Sequence, residues 1–227
     1  MSGGAVAFMA IAVVVIIVIA VMSAAAERER AEALAAWARE HGWNYDRERP
    51  ELVDRFGGTP FLSGRSNAKA KHVLCADHRG HRVLAYEYTY TTTSHNGQTT
   101  TTTTHRYTIV ALSTPPTPVL EVKAEHFGHT LLGLLGVHDL QVGEQAFDDT
   151  FRIAAQDDAF ALAVLSPQLR AWLLERAQER APFRFTGGHV LAWSTGRLEP
   201  DAVVAGADTL VDLLEQVPAQ VWEGTRG

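Results

Sequence analysis

The distribution of apolar and polar positions divides the chain sharply. From Ser2 to Ala26 no side chain carries a charge, and Ile11-Ala12-Val13-Val14-Val15-Ile16-Ile17-Val18-Ile19 is apolar on every face of a helix. A helix that is hydrophobic all round needs apolar surroundings on all sides, and about 20 such residues at about 1.5 Å each span a bilayer. Residues 1–26 are therefore expected to form a transmembrane helix, with Val13, Val14, Val15, Ile16, Ile17, Val18 and Ile19 in the lipid. After Ala26 the pattern changes. Ala31, Leu34, Ala35 and Ala38 recur at helical spacing among charged residues, and Gly42 supplies a stop. This predicts a helical stalk over 27–41, with Trp37 packing against a soluble domain at 42–227.

Within that domain the period alternates between two and 3.6. Trp43-Asn44-Tyr45 reads as extended, Pro50–Arg55 as a short helix with proline at its first position, and Val73–Ala76 as a strand. Two long strands follow, near His81–Thr93 and Thr99–Leu112. Asn96-Gly97 between them signals a type I′ hairpin turn. Centred there, the register pairs Tyr86 with Tyr107, Tyr88 with His105, Glu87 with Arg106 and Leu84 with Ile109. One face then carries Leu84, Tyr86, Tyr88 and Tyr90, and the other Glu87 and Thr89. Pro115, Pro116 and Pro118 make a corner before a short strand at Val119–Val122. Helices are expected at Phe127–Leu135, at Asp157–Leu165 capped by Asp157, from Ser166-Pro167 to about Arg180, and at Asp201–Val217. Phe151–Ala154 reads as a strand, and Phe183–Phe185 with Val190–Ser194 as a second hairpin across Gly187-Gly188. Strands in runs, broken by helices, predict an α+β fold with antiparallel sheet.

Charge and composition narrow the function more by exclusion than by assignment. A net charge of -6 gives no basic footprint for nucleic acid. Cys75 is the single cysteine, so an internal disulfide and zinc sites needing two cysteines are excluded. It lies in the apolar run Val73–Ala76, where a thiol packs as a small hydrophobe. No Gly-x-Gly-x-x-Gly, Gly-Lys-Ser/Thr, Gly-x-Ser-x-Gly or His-Glu-x-x-His motif occurs, and no cofactor is expected. Ten histidines are the one unusual abundance. His126 and His129 sit three apart at an expected helix start, with His138 beyond, and imidazoles so placed are candidate metal ligands when cysteine is absent. The ordinary reading of each is a surface or capping histidine.

The hairpin tip is almost entirely threonine, a β-branched residue with little apolar area, so it is expected to project beyond the core. Thr91, Thr93, His95, Asn96, Gly97, Thr100 and Thr102 are the candidate interaction residues of a finger that touches a partner; the ordinary reading is an ordered, solvated hairpin without a role.

The second half of the chain resembles a group of uncharacterised membrane-anchored bacterial proteins common in GC-rich Gram-positive organisms. The resemblance rests on Phe147-Asp148-Asp149-Thr150-Phe151-Arg152-Ile153, on Asp157, Ala161 and Leu165-Ser166-Pro167, and on Gly187-Gly188-His189-Val190-Leu191-Ala192. It implies a terminal membrane helix and a cytoplasmic domain, and brings no activity with it.

Orientation follows from Lys and Arg beside the span. Arg28, Arg30 and Arg39 follow it and none precede it, which puts the domain in the cytoplasm. The missing positive charge before the span, and its length, favour a retained anchor over a cleaved signal peptide. The expectation is a single-pass, non-enzymatic interaction domain of a larger membrane complex, with the bilayer and membrane proteins as partners. A hydrolase or metal-binding protein using the histidines, or a sensor of lipid or a small ligand, are the alternatives.

Overall fold

The computed structural model describes residues 3–61, 67–124, 136–176 and 181–223. Its first element, α1 (Gly3–Glu40), is one unbroken helix of 38 residues. Neither proline nor glycine interrupts it between Ala5 and His41, and Gly42, at a φ of 74°, ends it. Among the described residues it is the one helix long and apolar enough to cross a membrane. Large side chains such as Ile11, Ile16, Ile17 and Met22 are exposed around it. Its last turns behave differently: Ala31, Leu34 and Ala38 are buried against the rest of the chain.

The body is a mixed α+β fold around a seven-stranded antiparallel sheet, ordered β1-β2-β3-β4-β6-β5, with β7 on the free side of β4. The strands are β1 (Asn44–Glu48), β2 (Lys69–His78), β3 (His81–His95), β4 (Thr100–Ala124), β5 (His138–Leu140), β6 (Phe151–Ala155) and β7 (Phe183–Thr195). The helices after α1 are α2 (Gln145–Asp148), α3 (Asp158–Val164), α4 (Pro167–Leu174), α5 (Pro200–Gln216) and α6 (Ala219–Glu223). The expected caps hold: the Asp157 carboxylate accepts from the Phe160 N–H at 2.8 Å and the Ser166 hydroxyl from the Leu169 N–H at 3.3 Å. Pro50 opens only a 3₁₀ turn, Pro50–Leu52. The expected helix at Phe127–Leu135 falls outside the described residues.

Strand β4, 25 residues long, is the spine. From Thr100 to Arg106 it pairs with β3 alone, from Tyr107 to Leu112 it lies between β3 and β7, and from Leu120 to Val122 between β6 and β7. The expected separate strand at Val119–Val122 is the far end of β4. The expected second hairpin at Gly187-Gly188 is likewise one strand, β7, paired antiparallel to β4 on both sides of the glycines. Both strands bend together there. The register shifts on either side of Thr117, opposite Gly187, three prolines remove N–H donors from β4, and Gly187 takes a φ of 56° that its lack of Cβ permits. The bend is sharp enough to bring the Arg184 guanidinium within 4.9 Å of the Trp193 ring centre. On a straight strand those positions would stand about 30 Å apart. A pair of glycines between apolar runs thus marks a bulged corner here, not a reversal.

The long hairpin forms, with a register offset by two from that expected. Tyr86 faces Ile109, Tyr88 faces Tyr107, Glu87 faces Thr108 and Tyr90 faces His105. The reason lies at the tip. Only Gly97 has a positive φ, 87°, and Asn96 stays outside the turn. Its side chain accepts from the N–H groups of Gln98 and Thr99. The central pair is therefore Gly97-Gln98, the glycine-first pattern of a II′ turn. An offset of two preserves which face each residue takes. Tyr86, Tyr88 and Tyr90 accordingly share one core with Ile109, Leu191 and Trp193, beneath Leu52, Phe56 and Phe61. The opposite face carries Val83, Ala85, Val110, Leu120 and Val122, packed under Leu34 and Ala38 of α1 and Val203, Ala207 and Leu210 of α5.

Candidate functional site

The residues joining α1 to the sheet form the most heavily built polar site outside the cores. Arg30, on α1, donates to the Glu87 carboxylate at 2.8 Å and to the Leu198 carbonyl at 2.9 Å. Glu87 is 3% exposed, an expensive place for a charge unless it is paired and hydrogen-bonded. Here it also accepts from the Leu198 N–H at 3.0 Å, and Arg106 Nε lies 3.0 Å from its other oxygen. The diagonal Glu87–Arg106 contact survives the corrected register because Arg106 is opposite Thr89, two residues along on the same face. One turn before Arg30, Glu27 Oε1 lies 3.5 Å from Lys71 Nζ and 3.2 Å from His72 Nε2.

His72 is fully buried, at a β-bulge where its φ is 50°. Its Nδ1 lies 2.9 Å from the Tyr45 hydroxyl. The neutral tautomer protonated on Nε2 satisfies both partners, donating to Glu27 and accepting from Tyr45. Burial pushes the His72 imidazole below its usual value, and Arg30 adds to this against the opposing pull of Glu27. A histidine held neutral in the fold contributes its full stability above the unfolded value of about 6.5. It loses that contribution as pH falls from there toward the lower folded value, because the unfolded chain then binds the extra proton. Chemical denaturation between pH 7.5 and 5 should therefore show stability falling on acidification. The fall should be shallower in His72→Gln, and equal slopes in the two proteins would rule His72 out as its source.

A second feature is a cavity of about 440 Å³ between α5 and the β4–β7 pair, lined by Val110, Phe183, Ala192, Ser194, Ala205 and Gly206 among others. Gly206 lets α5 lie close on β4, since a Cβ there would come within 3.2 Å of Val110 Cγ2. Arg176 and Asp212 supply charge at its wall.

The third feature is buried on the other face. Arg184 is 0% and Glu121 2% exposed; they pair through Arg184 Nε at 2.8 Å. The remaining guanidinium donors reach the Gly57 and Thr59 carbonyls, and Lys123 Nζ lies 3.8 Å from Glu121. Every lone pair and proton so used offsets the cost of burial, which makes this a structural clamp tying loop 57–59 to the bent strands.

The expected site residues are distributed otherwise. Thr93, His95, Asn96, Gly97, Thr100 and Thr102 are exposed at the hairpin tip and Thr91 is half-buried at its root. His126 and His129 lie outside the described residues. His138 is exposed and 2.7 Å from Asp158, and among the described residues no three His, Cys, Asp or Glu side chains converge on a metal-sized site. Cys75 is half-buried and burial pushes its thiol up, away from reactivity. Asp148 holds the Val142 and Gly143 N–H groups. Of the junction around Glu87 the sequence shows only the Glu87–Arg106 contact, and Arg184 and Glu121 escape sequence reading. Their one signal is a charged residue between buried positions in Phe-Arg-Phe and Leu-Glu-Val, on a sheet covered on both sides.

No family model matches the chain, and no characterised protein matches it by sequence. Among solved structures there is a likeness. The fold is similar to that of the mycobacterial trehalose monomycolate transport factor A. The match covers 83% of this chain and 96% of that one, with a TM-score of 0.57 and 15% identity. At that identity the likeness speaks for the fold.

Proposed function

We propose that this chain is a single-pass membrane protein whose body, residues 42–227, serves as a non-enzymatic accessory subunit of a larger membrane complex. Residues 1–26 act as its anchor and residues 27–41 as a stalk. The observation that carries the reading is the locked junction: α1 passes without a break from its exposed apolar part into turns fixed to the sheet by Arg30 and Glu87. A tether that is only an address needs no such coupling, whereas a subunit that must hold an orientation in a complex does. The fold shared with a transport factor favours an accessory role at a membrane, as does the resemblance to anchored bacterial proteins. Arg28 and Arg39 beside the span favour a cytoplasmic body.

The test is purification of the full chain from its native membrane in mild detergent. A membrane protein should co-elute at fixed stoichiometry and be lost on Arg30→Ala, which loosens the junction. Elution of the chain alone would overturn the reading. A reporter fused at the C-terminus should be active in the cytoplasm; activity outside would reverse the orientation.

The cavity favours a second reading, in which the body binds a small apolar ligand or lipid chain. Its volume of about 440 Å³ falls in the range of ligand sites. Native mass spectrometry of gently extracted protein should then show a bound mass, and a clean apo mass would count against it.

A further inference from the structure

We propose that the threonine-rich tip of the β3–β4 hairpin, Thr91–Thr104, rests in the lipid headgroup layer beside the point where α1 enters the membrane. The inference rests on reading α1 as bilayer-spanning, and it assigns the hairpin a lipid contact in place of a protein one.

Direction comes from the register. Going backward along α1, Trp37 and Ala38 lie at Trp43, Arg30 lies at Glu87, and Glu27 lies at Lys71 and His72. Lys71 pairs with Glu87. The path from Trp43 to Glu48 on β1, from Cys75 to Lys69 on β2 and from Leu84 to Thr89 on β3 is thus the path toward the apolar end of α1. The hairpin continues along it, leaving the body at the same end as the anchor.

Reach comes from the two rises. From Arg30 back to Ala26, where the charge-free run ends, α1 climbs about 6 Å. From Glu87 to His95, β3 extends about 26 Å. Even if hairpin and helix diverge by about 60°, roughly 13 Å of that reach remains along the helix, more than the distance to the membrane boundary.

Backbone chemistry sets the depth. β2 pairs with β3 only as far as Thr89, and β7 pairs with β4 only from Tyr107 onward. Beyond those points, among the described residues, β3 and β4 pair as strands only with each other; the Thr91 carbonyl accepts from the Asn67 side chain and the Arg106 carbonyl from the Gly196 N–H, and past these the outer edges of the tip offer N–H and C=O groups to their surroundings. Hydrocarbon does not tolerate such edges, whereas the headgroup layer, with its water and phosphates, satisfies them.

Side chains agree. No Asp, Glu, Lys or Arg stands between Glu87 and Arg106. The tip therefore makes no demand on lipid charge, and each threonine offers one methyl and one hydroxyl to a mixed environment. Exposed lysines or arginines would have pointed to anionic lipid; their absence predicts binding to zwitterionic bilayers that salt does not weaken.

The test uses the full chain carrying Cys75→Ser, reconstituted in phosphatidylcholine nanodiscs. Single cysteines at Gln98→Cys, Thr102→Cys, Ile16→Cys and Asp77→Cys carry an environment-sensitive fluorophore. Asp77 lies at the β2–β3 turn, the opposite end of the same strands. Headgroup spin labels should quench Gln98→Cys and Thr102→Cys, with the same loss at low and high salt. Spin labels deep in the acyl chain should quench Ile16→Cys alone, and Asp77→Cys should respond to neither. Quenching of Ile16→Cys without the hairpin sites would overturn this proposal and leave the anchor intact. Loss of quenching at Ile16→Cys would overturn both.

Discussion

Replacing Arg184 by methionine should lower the unfolding free energy by about 3–5 kcal/mol, one of the two largest effects expected of any single change here. The substitution keeps apolar volume but strands Glu121, 2% exposed, without its partner. It also removes the donors that satisfy the Gly57 and Thr59 carbonyls. Trp193 stacks with Arg184 and so reports on the site directly. Urea unfolding of the detergent-solubilised chain, followed by tryptophan fluorescence, measures the loss. The double change Glu121→Leu with Arg184→Met should recover part of it, because neither member of the pair is then left uncompensated and only the longer 3.8 Å contact of Lys123 is lost. A double mutant as unstable as the sum of its singles would show that shape, and not charge, makes the site sensitive.

Glu87→Ala is the second. It leaves the Leu198 N–H without its acceptor, Arg30 with only the Leu198 carbonyl and Arg106 with solvent, and should cost about 3 kcal/mol, the low end of the range for breaking a buried pair because Arg106 is 35% exposed. Its particular signature is local. Ala31, on α1 and 8% exposed, should become more accessible once Arg30 loses its carboxylate partner and keeps only the Leu198 carbonyl. In a Cys75→Ser background, Ala31→Cys should react with a thiol reagent faster when Glu87→Ala is added, under conditions where the body remains folded. An unchanged rate would mean that α1 is held by its apolar contacts alone, through Leu34 and Ala38.

How far the sequence speaks depends on which force shapes each part. The apolar helix is legible because hydropathy alone dictates it, and the caps at Asp157 and Ser166 because each is a local hydrogen bond. The hairpin faces are legible because a two-residue period survives any even offset. Its register is not, since it turns on whether Asn96 enters the turn or caps it from outside. The bent β4 and β7 are read as separate pieces because proline and glycine interrupt them, and only pairing along both edges carries a strand through such a corner. The two buried carboxylates are the least legible of all. An alternating charge reads as solvent-facing until both faces of the sheet are known to be covered, and that knowledge belongs to the tertiary structure.

The order of manufacture gives the central strand a further meaning. Chains are made from the amino end, so α1 leaves the ribosome while the sheet is still incomplete. β4 finds β3 at once across a tight turn, but its other edge waits for β7, where Tyr107 pairs with Thr195 about 90 residues later, several seconds at ordinary elongation rates. Through that interval the spine of the sheet stands half-covered, and the open edge is a template for mispairing. Stalled synthesis before Phe183 should therefore yield an aggregation-prone fragment, whereas truncation after the body is closed should not.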